Sequence, residues 1–277
     1  MITKDKPLIS VIVPCYNQGE YVSETLLSVQ RQTFSDFECI IVNDGSTDNS
    51  LVEIEKFCRE DARFSFYDKK NEGVSVARNY GIAHSNGQYI LPLDADDVIA
   101  PEYLQATVDV LRANPQIKLV YTDTCFFGKR KGKQMLPPYS FERMLCKNLI
   151  NCTALYRRCD FDKTTGYNPN MSSGLEDWDF WLSLLSPSDK VYKIDKELFF
   201  YRIKGRSRNV NATINLSSLR KQLWSNHNNY YGPYFVDPQQ CVEYEQISQS
   251  REYMLGKFLL KPIRATYELF SKLLSIY

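Results

Sequence analysis

One segment decides how this chain folds, Tyr89-Ile90-Leu91-Pro92-Leu93-Asp94-Ala95-Asp96-Asp97. Its apolar first half predicts a buried β-strand, and its acidic second half places three carboxylates where that strand ends. Other short apolar runs with strand character lie on both sides of it, at Leu8–Val13, Glu38–Val42, Phe64–Tyr67 and Lys118–Thr122. Helical patterns alternate with these runs, at roughly Glu20–Gln32, Asn49–Arg59, Val74–His84 and Pro101–Ala113. This alternation predicts an α/β fold with a mostly parallel, Rossmann-like central sheet that is flanked by helices on both faces.

The alternation breaks after Thr124, and the rest of the chain gives a different set of signals. We expect strands at Ala154–Tyr156, Val191–Ile194 and Leu198–Ile203, and a helix at about Glu176–Leu185. From about Asn215 the pattern is helical to Tyr277. The sequence therefore predicts one large domain over residues 1–214 and a helical C-terminal extension over residues 215–277.

The composition excludes several classes of protein. The 277 residues contain 34 Lys+Arg and 33 Asp+Glu, a net charge of +1, which argues against a dedicated nucleic-acid binder. Two histidines leave little room for a histidine-rich metal site, and none of the eight cysteines forms a C-x-x-C pair. The N-terminus lacks the apolar core of a signal peptide, and no apolar run is long enough to span a bilayer. We therefore expect a reducing, cytoplasmic location.

The ends of the predicted strands are where a ligand of such a sheet binds. The first strand is followed by no G-x-G-x-x-G pattern, and no G-x-x-x-x-G-K-[ST] occurs anywhere, so dinucleotide-binding and P-loop interpretations are disfavoured. Asp44, after the second strand, lies in an Asp-Gly turn. A turn alone explains this residue, and a hydrogen bond from its carboxylate to a base or a sugar is the alternative.

Asp94 and Asp96 project in the same direction from the end of the fourth strand, since they occupy alternate positions. A solvated turn explains three clustered carboxylates, but the apolar run that leads into them favours a site for a divalent cation. Arg78 precedes them in a predicted helix. As an alternative to a surface role, its guanidinium can hold a diphosphate or orient the acidic groups.

Glu176, Asp177 and Asp179 open the helix predicted at Glu176–Leu185. Acidic residues are expected in a first helical turn because of the helix dipole. Here they are interleaved with Trp178, Phe180 and Trp181, and an apolar environment raises the pKa of a carboxyl group toward the range useful for a general base.

Five of these stretches together resemble family 2 inverting glycosyltransferases in order and spacing. The stretches are Ser10–Asn17, Val42–Asp48, Gly73–Asn79, Leu93–Asp97 and Glu176–Trp178. The resemblance spans about Leu8 to Arg208 and implies a GT-A type catalytic domain over residues 1–214. It also implies an enzyme that transfers a sugar from a nucleotide-diphospho-sugar, such as a UDP-sugar, to an acceptor hydroxyl.

The resemblance implies a role for each matching residue. Pro14, Tyr16 and Asp44 would line the nucleoside pocket, and Arg78 would lie by the diphosphate or the ribose. Asp94 and Asp96 would form the D-x-D motif that holds Mn²⁺ or Mg²⁺, with Asp96 as the direct ligand, and Asp177 would be the catalytic base. Family members often carry a histidine in a Tyr-Arg-x-His pattern after the last strand, and Lys204 stands at that position here. An ammonium is not a metal ligand, but it can pair with phosphate as a charge.

The C-terminal extension is apolar and basic, with five Lys+Arg and two Asp+Glu over residues 251–277, a difference of +3. Such helices either pack on the catalytic domain or lie on an anionic membrane surface. The membrane alternative suits a peripheral protein on the inner face of the cell membrane that acts on a lipid-linked acceptor; a saccharide acceptor is the other option. Two further functions remain open at this stage, a sugar nucleotidyltransferase and a non-catalytic membrane-surface binding protein.

Overall fold

The computed structural model describes residues 6–204, 215–231 and 242–274, with side chains as far as residue 263. Its centre is a nine-stranded sheet in the order β3-β2-β1-β4-β8-β6-β9-β5, with β7 paired to β6 outside this path. The strands are β1 Ile9–Cys15, β2 Phe37–Asp44, β3 Phe64–Lys69, β4 Tyr89–Pro92, β5 Val98–Ile99, β6 Ile117–Gly128, β7 Gly132–Gln134, β8 Leu155–Arg157 and β9 Lys190–Ile203. Strands β1 to β4 are parallel, and the rest of the sheet is mixed. The predicted α/β fold is confirmed.

Helices connect the strands and cover the sheet. They are α1 Val22–Gln30, α2 Ser50–Glu60, α3 Val74–Ala83, α4 Tyr103–Ala113, α5 Phe141–Cys146, α6 Arg158–Phe161, α7 Glu176–Leu184, α8 Leu216–Asn226, α9 Asn228–Tyr231, α10 Val242–Ser248 and α11 Arg251–Leu274. The four predicted helices of the first half correspond to α1 to α4, with ends that differ by up to two residues.

The sheet has a hydrophobic core on each face because successive side chains of a strand point in opposite directions. Val11 and Val13 of β1 lie in the core under α1, α2 and α4, whereas Ile12 lies in the core under α3, α5 and α7. Helix α3 approaches the sheet closely at Gly81, where a Cβ atom would lie 2.8 Å from Cγ2 of Ile12. This close approach places the side chains of α3 directly over the ends of β1 and β2.

Strand β9 differs from the sequence prediction. Two strands were expected, at Val191–Ile194 and Leu198–Ile203, but the structure has one continuous strand of 14 residues. Its pairing with β6 shifts register around Asp123, and this irregularity accommodates the polar stretch Asp195-Lys196-Glu197 without ending the strand. Strand β9 is therefore one long element, and its C-terminal end lies beside the acidic turn after β4.

The C-terminal helices fall into two groups. Leu219 and Leu223 of α8 are buried in the same core as α7, so α8 packs on the sheet-containing fold. In α11 the large apolar side chains as far as Ile263 are exposed, and Phe258 is 74% exposed. Within the described part of the chain, no helix is long and apolar enough to cross a bilayer. The boundary predicted between residues 214 and 215 borders a stretch outside the described residues and stays a prediction.

Candidate functional site

The acidic turn between β4 and β5 is the centre of the candidate site. It begins where the buried strand ends, and the amide of Asp97 donates to the carbonyl oxygen of Asp94 at 3.0 Å, which closes the turn. Asp94 is 32% exposed and Asp97 is 1% exposed. The turn therefore presents carboxylates at different depths, at the carboxyl end of the sheet where ligands of such folds bind.

Arg78 connects this turn to helix α7. Its Nη2 lies 2.6 Å from Oδ1 of Asp94, and its Nη1 lies 3.2 Å from Oε1 of Glu176. The guanidinium is 1% exposed and lies over the ring of Tyr167, 5.2 Å from the centroid. Burial by itself lowers the pKa of Arg78, but Asp94 and Glu176 raise it well above its usual value. Arg78 thus contacts two of the acidic groups, and both roles that the sequence suggested for it, orienting these groups and contacting a diphosphate, stay predictions.

Asp177 lies on the first turn of α7, next to Glu176. Its Oδ2 accepts a hydrogen bond from Nδ2 of Asn148 at 2.9 Å, and its Oδ1 accepts one from the amide of Trp178 at 2.8 Å. Burial, followed by the charge of Glu176, raises the pKa of Asp177 to about 6. A carboxylate with this pKa is ionised at neutral pH and is basic enough to accept a proton, so it meets the requirements for a general base.

The backbone is strained at two places on this edge of the sheet. Among the described residues, Asn17 and Leu175 are the non-glycine residues with a positive φ, at 51° and 61°. Leu175 immediately precedes Glu176, and Asn17 follows β1 and is held by hydrogen bonds to Ser46 and Thr47. Left-handed conformations of this kind cost free energy and cluster at functional sites.

Arg202, near the end of β9, connects this strand to the acidic turn by hydrogen bonds. Its amide donates to Oδ1 of Asp97 at 2.8 Å, and its Nε donates to the carbonyl oxygen of Asp96 at 2.7 Å. Two residues later, the ammonium of Lys204 pairs with the carboxylate of Asp96 and donates to Oε1 of Gln18 at 2.8 Å. The predicted metal ligand Asp96 therefore has a cation of the protein itself as its partner.

Asp97 and Cys152 extend the site beyond the residues singled out in the sequence. Ligand atoms of Asp94, Asp97 and Cys152 lie within 4.8 Å of one another. Oδ2 of Asp97 is buried with no hydrogen-bond partner among the described residues, and burial raises the pKa of this carboxyl group well above its usual value. As the third acid of its cluster, Asp97 is visible in the sequence, whereas nothing in the sequence connects Cys152 with a turn 58 residues away.

The predicted nucleoside-binding residues lie at the ends of β1 and β2. Pro14 is buried within β1, and Tyr16 just beyond it is 48% exposed. Asp44 is buried, and its carboxylate accepts hydrogen bonds from Nζ of Lys69 at 2.8 Å and from the amides of Glu72 and Gly73. Asp44 thus fixes the segment that leads into α3 and Arg78. Contact of Asp44 with a base stays a prediction, since its carboxylate already has three donors.

The structure brings one group of the predicted residues together directly. Contacts link Asp94, Arg78 and Glu176 on one side of the turn, and Asp96 and Lys204 on the other. Asp177 joins the first set as the neighbour of Glu176 on α7. Pro14 and Asp44 lie in the last residues of the adjacent strands β1 and β2, and Tyr16 directly follows β1.

Comparison with known proteins identifies the family. A family model described as "Glycosyl transferase family 2" matches residues 10–174, which is more than half of the chain. The chain belongs to glycosyltransferase family 2. Chondroitin synthase of Escherichia coli is 29% identical over 198 residues, which are 69% of this chain and 29% of that protein. Three uncharacterized glycosyltransferases of Rickettsia species are 31–32% identical, and the chain spans 29–33% of their length.

Solved structures show that the fold is the GT-A fold. Staphylococcus aureus TarS, in complex with UDP, superposes with a TM-score of 0.61 at 19% identity, covering 84% of this chain and 76% of that one. A mannosyltransferase from Pyrobaculum calidifontis, in complex with GDP-Man and Mn²⁺, superposes with a TM-score of 0.64 at 17% identity, covering 82% of this chain and 65% of that one. The GT-A fold expected from the sequence motifs is confirmed.

Proposed function

We propose that this member of glycosyltransferase family 2 transfers a sugar from a nucleotide-diphospho-sugar to an acceptor hydroxyl with inversion at the anomeric carbon. One observation carries the proposal, the buried Arg78 that joins Asp94 of the acidic turn to the helix of Asp177. This bridge fixes the distance between a donor-binding turn and a general base. UDP is the proposed nucleotide, supported by the UDP complex of the structural neighbour TarS, and GDP is the alternative, since the mannosyltransferase neighbour binds GDP-Man.

The proposed reaction is a single displacement. Asp177 accepts the proton of the acceptor hydroxyl while the hydroxyl oxygen forms a bond to the anomeric carbon. The bond between that carbon and the diphosphate oxygen breaks, and its electron pair leaves with the nucleoside diphosphate. Attack from the face opposite the nucleotide inverts the anomeric configuration, and no covalent enzyme intermediate is needed. Cations at the acidic turn stabilise the charge that develops on the diphosphate.

The residues of the acidic turn fit a divalent cation. Asp94 and Asp96 would hold Mn²⁺ or Mg²⁺. The buried Oδ2 of Asp97, which has no hydrogen-bond partner among the described residues, adds a further oxygen donor close to Asp94. Carboxylate oxygens are the ligands that these ions prefer, and the rest of the shell is usually water and phosphate. When bound, the cation would supply positive charge to the departing diphosphate.

The first test separates donor binding from chemistry. Asp177→Asn removes the base but keeps the size of this side chain and one of the two hydrogen bonds that it accepts, so we expect UDP with Mn²⁺ to raise the melting temperature as in the unaltered protein. Transfer, followed as UDP release from a panel of UDP- and GDP-sugars, should fall by at least about a hundredfold. Asp162→Asn, an exposed aspartate outside the site, is the matched control and should change neither quantity. Normal transfer by Asp177→Asn would exclude Asp177 as the base.

Helix α11 supports a further part of the proposal, contact with an anionic membrane. Its exposed side chains include Phe258, Leu259 and Ile263. The basic residue Lys257 directly precedes Phe258, and Lys261 lies between Leu259 and Ile263. Apolar side chains on a basic helix suit the interface of an anionic bilayer, where a lipid-linked acceptor of surface polysaccharide synthesis would be reached. Chondroitin synthase among the relatives supports the polysaccharide part of this proposal.

Vesicle sedimentation tests this contact. The protein should sediment with vesicles that contain phosphatidylglycerol and remain in the supernatant with pure phosphatidylcholine. The double variant Phe258→Ser, Leu259→Ser should lose most of this binding, and Leu51→Ser on the half-buried surface of α2 serves as the control for a lost apolar side chain. Self-association of the unaltered protein through α11 without vesicle binding would contradict the membrane proposal and indicate a second copy as the occupant of this surface.

A further inference from the structure

Asp96 and Lys204 form an ion pair across the mouth of the candidate site. Lys204 comes from the end of β9, and Asp96 comes from the turn after β4. The ammonium also donates to Oε1 of Gln18 in the segment after β1 and lies 4.8 Å from the ring centroid of Tyr21. Because β1 and β4 are adjacent and parallel, Lys204 bridges the two strand ends between which a ligand of this fold binds.

The position of Lys204 is fixed by the protein. Arg202, two residues earlier, is held by Asp97, by the carbonyl oxygen of Asp96 and by Glu24, with its guanidinium 4.2 Å from the ring centroid of Phe127. The side chain of Lys204 is 16% exposed, so most of its surface is covered by the surrounding protein. A lysine with three partners and an anchored backbone differs from a surface lysine, whose ion pairs contribute little.

Asp94 and Asp96, the two partly exposed carboxylates of the acidic turn, each have a cationic side chain of the protein as a partner. Arg78 pairs with Asp94, and Lys204 pairs with Asp96. A divalent cation that binds Asp96 competes with the ammonium, because two positive charges close to one carboxylate repel each other. The displaced ammonium remains within reach of the ligand, since its other partners, Gln18 and Tyr21, lie on the loop after β1.

We propose that Lys204 is a built-in counter-cation of the donor site, which competes with divalent metal for Asp96 and allows the nucleoside diphosphate to bind without metal. This inference rests on the proposed function, since it concerns the donor of that reaction. The ammonium shields the carboxylate of Asp96 from the diphosphate and contacts phosphate oxygens as a charge. Metal then strengthens donor binding without being required for it.

Isothermal titration of UDP in the presence of Mn²⁺ or of EDTA tests this role. For the unaltered protein we expect the two dissociation constants to agree within about threefold. Lys204→Met should weaken UDP binding in EDTA by about tenfold or more, the loss expected for one charge-assisted hydrogen bond. Lys204→His should make UDP binding depend on Mn²⁺, because a neutral imidazole is a metal ligand and carries no compensating charge. Lys196→Met, at an exposed position of β9, is the control and should behave like the unaltered protein.

A second measurement uses Mn²⁺ alone and requires no nucleotide. Electron paramagnetic resonance of free Mn²⁺ should show tighter binding to Lys204→Met than to the unaltered protein, by about tenfold, since the competing ammonium has gone. Equal Mn²⁺ affinity of the two proteins would overturn the inference, and so would UDP binding by the unaltered protein that is lost in EDTA. If neither UDP nor GDP binds under any condition, the proposed function fails, and the Mn²⁺ titration still decides whether Lys204 competes for Asp96.

Discussion

Arg78 shows how a single buried charge organises the site. Removing a guanidinium from water costs several kcal/mol unless partners replace its hydration. Asp94 and Glu176 provide two of those partners, and Nε of Arg78 has none among the described residues. Arg78 therefore fixes the position of the acidic turn relative to the start of α7. Without its guanidinium, the carboxylates of Asp94 and Glu176 would repel each other.

The pKa of Asp177 leads to a prediction at this scale. Burial and Glu176 raise this pKa to about 6, and a base acts only when it is ionised, so kcat/KM should fall as the pH decreases through about 6 and level off above it. Glu176→Gln removes the negative charge that raises the pKa of Asp177. This pKa should therefore fall, and the acidic limb of the profile should move to lower pH. Steady-state rates from pH 4.5 to pH 8 measure both profiles, with the melting temperature followed over the same range to exclude unfolding. An acidic limb that does not move in Glu176→Gln would contradict the assignment of the limb to Asp177.

Strands β1 to β4 and helices α1 to α4 were predictable because each strand is a short apolar run and each helix carries a separate amphipathic pattern, whereas the two-residue strand β5 was not predicted. Strand β9 was not predictable as one element, because the polar stretch Asp195-Lys196-Glu197 predicts the end of a strand. The strand continues through this stretch because its pairing with β6 shifts register there. The motifs located Asp94, Asp96 and Asp177 in the sequence. They gave no indication of the Arg78–Glu176 contact, because its partners are 98 residues apart and only tertiary packing joins them.

Helix α3 supports a prediction at the scale of an element. Gly81→Ala places a Cβ 2.8 Å from Cγ2 of Ile12 and 3.1 Å from Cγ2 of Val42, so the helix must move away from the sheet. We expect a loss of about 1–3 kcal/mol in the free energy of unfolding, measured by urea denaturation. The same change at Gly256, in α11, meets nothing within 4 Å and should be neutral or stabilise by up to about 1 kcal/mol. Equal effects of the two substitutions would show that α3 is not tightly packed.

At the scale of the whole molecule, the near-zero net charge conceals an uneven distribution. Asp94, Asp96 and Asp97 lie at one edge of the sheet together with Glu176, while residues 251–277 carry a charge of +3. The C-terminal extension is also not one unit, because α8 is part of a core and α11 is exposed as far as its side chains are described. The packed core therefore includes α8, whose burial the sequence did not predict because an amphipathic helix fits either packing or a membrane.

Two leucine substitutions measure where the cooperative fold ends. Leu223→Ala in α8 leaves a cavity in the core and should lower the free energy of unfolding by about 2–5 kcal/mol. Leu259→Ala in α11 removes a side chain that is 60% exposed and should change it by less than about 0.5 kcal/mol. Denaturation followed by tryptophan fluorescence reports both, since Trp178 and Trp181 lie in the core that contains Leu223. A small effect of Leu223→Ala would place α8 outside the cooperative unit.

The bridge made by Arg78 also constrains the order in which the protein is assembled. A ribosome releases α3 and the acidic turn well before α7 exists, so the growing chain carries an arginine whose second carboxylate has not yet been synthesised. Until α7 is synthesised, Asp94 is the carboxylate that Arg78 can reach, and water must hydrate the other side of the guanidinium. We expect the candidate site to be completed only when the later half of the chain supplies Glu176 together with its neighbour Asp177.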